Sequence, residues 1–564
     1  MAKLGFGITV TLLCLGQMGQ AQVILAPPNP QVGSPQPATA DPKVPRPHTT
    51  PCVVHLFENL EFADYTPKTF SYTPPARCRA PWAKVVFTAD FTVTEGNQFD
   101  RTASFYLGHA NIYYGTTAEP GSTVSPSWHV ERDVTDLSAI FKSAQSGEAD
   151  LGNFVGTYNG VVYNGIIYAD AALEFYPASF FEPAPATPDL VVPMPDAEGG
   201  AATLNTTSSQ LAQPVTLPTN VERVYLDVIT QSQISDEFWY TCVPNDVATE
   251  LQSCVNTAFR EAEISIDDQP AGVAPVYPWI YTGGIDPFLW SPIPGVQTFD
   301  FVPYRVDLSP FAGLLSDGNQ HTVALSVYNA NGYFLATANL LVYTDHGSKK
   351  VTGGILSNNL AATPSPVVTE NVNTAPNGDI TATVTVTSTR DYKITGYVNT
   401  SHGRVDTTAA QIVEFSNTQN FQITAAAYVQ DIHQSTVTSS ESTTKIGFVT
   451  QDTVKRFEYP LIFDYSALTS STGTTAVTTT VQQSDVASTN ETLDGFPIYN
   501  ANLLNEVNST DTLNFDASGF TGNSNSDSSQ RYVAIDSLSQ CYDRVIASAS
   551  GLLSSVKDQG CPGR

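Results

Sequence analysis

Val85-Val86-Phe87-Thr88-Ala89-Asp90-Phe91-Thr92-Val93 combines β-branched and aromatic residues, the composition of a strand on a half-buried sheet. The same signature recurs outward from it. Phe105–Leu107 and Asn111–Tyr114 follow, separated by Gly108, and then Trp128–Val134 and Ile166–Tyr176. A second series begins at Val221–Val228 and continues through Ala262–Ile266, Val276–Ile280, Phe299–Val306, His321–Tyr328 and Tyr333–Tyr343. Helix patterns are scarce, with one short candidate at Leu137–Ala144. Many short strands separated by turn residues predict an all-β fold of two tandem jelly-roll or β-sandwich modules packed side by side. Thr381–Thr387 alternates Thr with Val or Ala, and 466–490 is rich in Ser, Thr, Val and Gln, so a further β-rich C-terminal region is expected. The segment Ala534–Val556 reads as ending in a short amphipathic helix, with Val545, Leu552, Leu553 and Val556 on its apolar side.

Composition and punctuation set the boundaries. The chain has 564 residues, too many for one core, and a formal charge of −29. That charge argues against a nucleic-acid or anionic-membrane partner. Residues 1–21 read as a secretory signal peptide: Lys3 is the basic start, Leu4–Leu15 the apolar core, and Gly19-Gln20-Ala21 the cleavage site. No other stretch reaches the ~18 apolar residues of a membrane span. Residues 22–51 are Pro-rich and expected to be disordered. A first β-sandwich is expected over 52–180, a Pro-rich linker over 181–200, a second sandwich over 201–345 and the β-rich region over 346–564. Six cysteines remain after the signal. In a secreted chain they predict three disulfides, with local pairing Cys52–Cys78, Cys242–Cys254 and Cys541–Cys561 favoured among about fifteen possible pairings. Asn205, Asn399, Asn490 and Asn508 lie in glycosylation sequons.

The sequence lacks a His-Glu-x-x-His motif, a Gly-rich phosphate loop, a Cys-x-x-Cys pair and a Gly-x-Ser-x-Gly elbow. The eight histidines show no ligand spacing, so no metal and no cofactor are expected. Carboxylates remain. Asp100 beside Arg101 is either a rim ion pair or a base that orients water, kept ionised by its neighbour. Glu237 opens the run Phe238-Trp239-Tyr240, which is either core or the lip of a sugar site, since rings cover a pyranose face while acids take its hydroxyls. The stretch Pro278–Trp290 holds Trp279, Trp290, Asp286 and the pair Gly283-Gly284. It reads either as a buried aromatic loop or as a substrate wall with a sharp turn.

An ordered string of motifs then carries a resemblance. It runs Gln98-Phe99-Asp100-Arg101, Thr117-Ala118-Glu119-Pro120, Trp128 with Asp133-Val134-Thr135, Asp236-Glu237-Phe238-Trp239-Tyr240, Tyr281-Thr282-Gly283-Gly284-Ile285 and Asp307-Leu308-Ser309-Pro310-Phe311. Over about 52–345 the chain resembles the peptide-N4-(N-acetyl-β-glucosaminyl)asparagine amidase A family, with vaguer similarity beyond. It is also distantly similar to bacterial peptide:N-glycosidase F, built of two jelly rolls. The resemblance implies a metal-free, secreted glycoamidase that acts on N-glycopeptides and glycoproteins, releasing the whole N-glycan as a glycosylamine and leaving aspartate. It implies Asp100 and Glu237 as catalytic residues. The bacterial enzyme's further glutamate falls near Asn153. Arg101, Glu119, Asp236, Trp239, Trp279, Asp286 and Trp290 are expected to line the substrate. Two other readings stay open: a glycan-binding β protein without catalysis, and a glycosidase cutting within the N-glycan. The sequence does not give an oligomeric state.

Overall fold

The computed structural model describes residues 23–119 and 121–560. The expected signal peptide and Cys561 lie outside the described residues. Strands dominate, as the alternating sequence predicts.

The first sandwich has two four-stranded antiparallel sheets. One orders Cys52–Phe62, Ile167–Pro177, Trp82–Val93 and Ser127–Asp133; the other orders Lys68–Tyr72, Gln145–Leu151, Thr102–Leu107 and Ala110–Thr116. Phe87 and Phe91 from one sheet meet Phe105 and Tyr113 from the other, at ring separations of 5.6–6.1 Å. The quoted strand is therefore the centre of this core: Val85, Val86, Phe87 and Phe91 are fully buried. The Leu137–Ala144 candidate forms two 3-10 turns, Thr135–Leu137 and Ile140–Lys142.

The second sandwich follows the same plan. One sheet orders Leu190–Met194, Asn331–Thr344, Val221–Gln233 and Tyr304–Asp307, with Ala202–Thr206 also on Asn331–Thr344. Its partner orders Gln210–Val215, His321–Tyr328, Glu261–Ile266 and Gln269–Pro275. The stretch 181–200 differs from a plain linker, because Leu190–Met194 pairs along Asn331–Thr344. Its Val191 and Met194 are buried, which gives that pairing apolar area to bury.

The last third forms one antiparallel sheet of 11 strands. Its strands are long: Ile380–Thr400 has 21 residues and Gly403–Thr424 has 22. Burial along Ile380–Thr400 alternates strictly, with Ala382, Val384, Val386, Tyr392 and Ile394 inward. That face packs on the second sandwich: Phe415 meets Phe259 and Tyr459 meets Tyr277, with ring centroids 5.0 Å and 4.8 Å apart. The expected C-terminal helix is instead the strands Cys541–Ala549 and Leu552–Asp558. The preceding strand Gly519–Asp536 offers an open edge, and pairing to it overrides a weak helical pattern.

Residues 23–51 of the Pro-rich stretch are ordered, contrary to expectation. Val23–Leu25 pairs with Lys43–Arg46. Ala40 is fully buried; its N–H donates to Gln530 Oε1 at 2.6 Å and its carbonyl accepts from Tyr542 Oη at 2.7 Å. Side chains of the long sheet thus supply the partners that a Pro-rich backbone cannot find in itself. Disulfides join Cys52 to Cys78 and Cys242 to Cys254. Cys541 is disulfide-bonded as well. Asn205, Asn399 and Asn490 are exposed, while Asn508 is half-buried and donates to Glu506. Among the described residues no helix is long and apolar enough to cross a membrane.

Gln483 shows how the long sheet grips the second sandwich. It is fully buried, accepts from Val296 N at 2.9 Å and donates to the Pro278 carbonyl at 2.7 Å. Gln483→Leu orphans both backbone groups, at about 1–3 kcal/mol each. Thermal unfolding of the variant is expected to show a lowered midpoint, and a midpoint equal to the parent's refutes this role.

Candidate active site

Two sandwiches contribute to one site because their backbones are stitched together. The segment 298–301 runs along the strand Ala110–Thr116: Thr116 N donates to the Thr298 carbonyl at 2.8 Å, and Phe301 N donates to the Tyr114 carbonyl at 2.7 Å. Tyr113 Oη adds a bond to the Phe299 carbonyl at 2.7 Å. A side chain at Gly115 would overlap that carbonyl, so only glycine permits the approach. One residue on, Thr282 Oγ1 donates to the Thr117 carbonyl at 2.6 Å. The stitch leaves Glu119, just beyond the strand, against Gly283 on the facing loop. A methyl group at Gly283 would overlap the Glu119 carboxylate and press on the Asp100 side chain.

Three carboxyl groups sense one another here. Burial pushes Glu119 up to about 8, and the charge of Asp100 adds to the shift. Burial raises Glu237 to about 7, again reinforced by Asp100. Asp100 is raised by burial and pulled back by Arg101. Arg101 is itself lowered to about 10 by burial, against the pull of Glu119 and Asp100. It lies over the Phe99 ring at 4.1 Å and donates through Nε to Asn153 Oδ1 at 2.8 Å. Its Nη2 is buried without a protein partner, as are the Gln98 amide and Thr117 Oγ1. These groups are donors and acceptors that the fold leaves uncommitted beside Asp100.

Beneath Glu237, Tyr281 Oη donates to the Ser232 carbonyl and accepts from Gln231, whose side-chain oxygen accepts from Tyr114 Oη at 2.8 Å. Both turns at the site are strained. Ile234 has φ +54° and Ile285 has φ +67°, left-handed values that a β-branched residue rarely adopts. Each costs on the order of 1–3 kcal/mol, borne by the packing around the turns.

Residues 37–361 match the family model described as peptide N-acetyl-beta-D-glucosaminyl asparaginase amidase A, and 383–461 match its C-terminal domain. The chain belongs to this amidase family. The peptide-N4-(N-acetyl-beta-glucosaminyl)asparagine amidase A of Prunus dulcis is 30% identical over 394 residues, 66% of this chain and 67% of the relative. Among solved structures, PNGase F of Flavobacterium meningosepticum is 14% identical, covering 52% of this chain and 96% of its own, with TM-score 0.34. PNGF-II is 13% identical, covering 52% of this chain and 66% of its own, with TM-score 0.35.

Asp100, Arg101, Glu119 and Glu237 of this amidase are thus brought together, and the five other residues expected at the substrate are not. Asp236 is fully buried: its Oδ1 accepts from Arg260 at 2.7 and 3.0 Å, and its Oδ2 accepts from Asn331 N at 2.6 Å. Buried and bonded in this way, it is out of reach of a sugar. Removing one partner of such a pair costs about 3–5 kcal/mol, so its role is to lock the turn that presents Glu237. Asp286 is buried too and caps the 3-10 turn Pro287–Trp290 through Phe288 N. Burial and the nearby Asp511 push it up to about 7. Trp239, Trp279 and Trp290 are 0%, 4% and 4% exposed, so their rings are core rather than sugar platforms. Trp239 packs on Phe415, Trp279 on Phe301 at 4.4 Å, and Trp290 Nε1 holds the Gly284 carbonyl at 2.9 Å.

Asn153, Arg260 and Gly283 escaped prediction in these roles. Asn153 is fully buried, donates to the carbonyls of Phe62 and Gly165 and accepts from Arg101, so it orients the guanidinium. The position near which a distant glutamate falls is therefore a fixed scaffold amide. Gly283 was legible only as a turn glycine, whereas its contact is with Glu119. One histidine does meet two acids: Glu222, Asp345 and His402 place ligand-type atoms within 4.8 Å of one another. Asp345 there is already committed to Ser401 and the Gly347 N–H.

Gly283→Ala is expected to fold and to displace Glu119. Misplacement of about 1 Å at such a site costs about 10²-fold in turnover. Steady-state kinetics on a glycopeptide check this, and a parental rate shows that Glu119 does not need its present position.

Proposed function

We propose that this amidase is secreted and hydrolyses the β-aspartylglucosaminyl amide of N-glycopeptides and glycoproteins. It releases the whole N-glycan as a glycosylamine and leaves aspartate. The observation that carries the reading is the triad of mutually interacting carboxyl groups, Asp100, Glu119 and Glu237, with Arg101 behind them. Export is supported by disulfide pairs that persist in oxidising compartments.

Asp100 takes a proton from water as its oxygen adds to the amide carbonyl carbon. Arg101 favours the ionised form that this step needs. Negative charge grows on the carbonyl oxygen, where a protonated Glu237 donates a hydrogen bond. The intermediate collapses by breaking the bond between the carbonyl carbon and the amide nitrogen. A protonated Glu119 gives its proton to the leaving nitrogen. The products are the aspartate side chain and a glycosylamine, which later loses ammonia in solution.

The two roles set opposite pH limits. A group raised to about 7 or about 8 is protonated below that value and loses its proton above it. Turnover is therefore expected to rise at the acid end as Asp100 ionises and to fall as the pH passes about 7 to 8. Glu237→Gln keeps a neutral donor, so it is expected to move the alkaline limb upward. An alkaline limb unchanged in this variant removes Glu237 from the titrating set.

Digestion in heavy-oxygen water distinguishes the bond cut. Label is expected in the new aspartate, with the sugar leaving first as the amine. Asp100→Asn is expected to lower release by about 10²–10⁴-fold while leaving the unfolding midpoint near the parent's. Label confined to the sugar beside intact asparagine means a glycosidase, and retention without release means a glycan-binding protein.

A further inference from the structure

The hairpin Gly156–Tyr158/Val161–Tyr163 stands apart from both sandwiches as its own two-stranded sheet. Its turn is Asn159-Gly160, with φ +50° and +82°, the left-handed pair that sets a tight two-residue connection. No charged residue occurs between Asp150 and Asp170, although the chain carries a net charge of −29. Tyr158 is 64% exposed, Val162 52%, Val161 44% and Val155 42%. A lone hairpin is marginal in water, and this one presents apolar side chains to solvent.

The hairpin is pinned to the residues leading into Asp100. Asn97 Nδ2 donates to the Val162 carbonyl at 2.8 Å, and Asn97 N donates to Asn164 Oδ1 at 3.0 Å. The Tyr163 ring meets the Phe99 ring edge-on at 5.7 Å, and Phe99 lies under the Arg101 guanidinium. The register pairs Tyr158 with Val161 and Gly156 with Tyr163, so these side chains share one face of the hairpin. That face is continuous with Phe99, and so with the site.

We propose that this hairpin is the polypeptide-side platform of the amidase, receiving apolar side chains that flank the glycosylated asparagine. The proposal rests on the amidase reading of the site and names the part of the substrate the hairpin takes. Valines and uncharged tyrosines suit apolar side chains. A sugar site pairs a ring face with free acids or amides, and here the side-chain groups of Asn97 and Asn164 are spent on holding the hairpin. The preferred substrates are then glycosylated segments whose apolar residues are exposed, as in unfolded or cleaved glycoproteins, rather than polar surface loops.

The test uses three substrates with one glycan: a peptide with Leu and Val flanking the glycosylated Asn, a peptide with Ser and Gly, and the end-blocked glycosyl-asparagine alone. The double variant Tyr158→Ser with Val161→Ser changes two exposed side chains of that face and spares the fold. Its KM for the apolar peptide is expected to rise about tenfold, while the polar peptide and the blocked amino acid behave as with the parent. Fluorescence anisotropy of the labelled peptides on Asp100→Asn, with and without the double variant, reads the same preference without turnover. An unchanged KM for the apolar peptide, or equal losses on all three substrates, overturns the platform while parental turnover leaves the amidase reading standing. Peptide-dependent binding with no release by the parent enzyme supports the platform and overturns the amidase reading.

Discussion

The stitch between the segment 298–301 and the strand Ala110–Thr116 is the contact on which the site depends. Each sandwich has its own core, but neither core brings Glu119 to Gly283 or Asp100 to the neighbourhood of Glu237. Hydrogen bonds to backbone carbonyls do so, from the Thr116 and Phe301 N–H groups and the Thr282 hydroxyl, and they tolerate little sliding because each is directional. Glycine at 115 lets the two backbones approach. A shift of one residue along this seam would turn every side chain of the strand to its other face.

The rest of the molecule serves to hold that seam. The long C-terminal sheet buries Phe415, Tyr459 and Leu461 against the second sandwich and takes up the orphan backbone of 278–296 through Gln483. The N-terminal strap closes the other side by docking Ala40 onto Gln530 and Tyr542. Ser442 adds a bond to Asp307 at 2.7 Å, in one of the motifs that carried the family resemblance. Several of the family motifs are thus joints between layers rather than ligand contacts. The strained turns at Ile234 and Ile285 are held by this packing and present Glu237 and the Gly283–Gly284 loop to the site.

Electrostatically, the site departs from solution behaviour for one reason. Acids that would each ionise alone are half-buried together with a single cation. Desolvation is the largest cause for all three carboxyl groups, and the mutual charge of Asp100 comes next for Glu119 and Glu237. One guanidinium cannot neutralise three carboxylates, so proton retention by two of them is the less costly arrangement. An amide hydrolase needs both a base and proton donors, and this imbalance supplies them from one residue type.

Local pattern alone settled the strand content, favoured the Cys52–Cys78 and Cys242–Cys254 bridges, and set Asp100, Glu119 and Glu237 in distinctive motifs. Those are properties of neighbours in the chain: period-two burial, short cysteine spacing, an acid beside a base. Only the tertiary structure decided which polar and aromatic residues reach the site. Asp236 and Glu237 are adjacent, yet the turn points one at Arg260 in the interior and leaves the other half-exposed near Asp100. Trp239, Trp279 and Trp290 looked like sugar platforms because an indole serves a core and a binding lip equally well. Phe415 of the long C-terminal sheet packs on Trp239, while Gln483 and Ser509 of that sheet bond the backbone beside Trp279 and Trp290, and all three partners lie far downstream. The Pro-rich strap and the last two strands were misread for the same reason. Their partners are open edges and side chains supplied by distant segments, and no local period records a bond made across the fold.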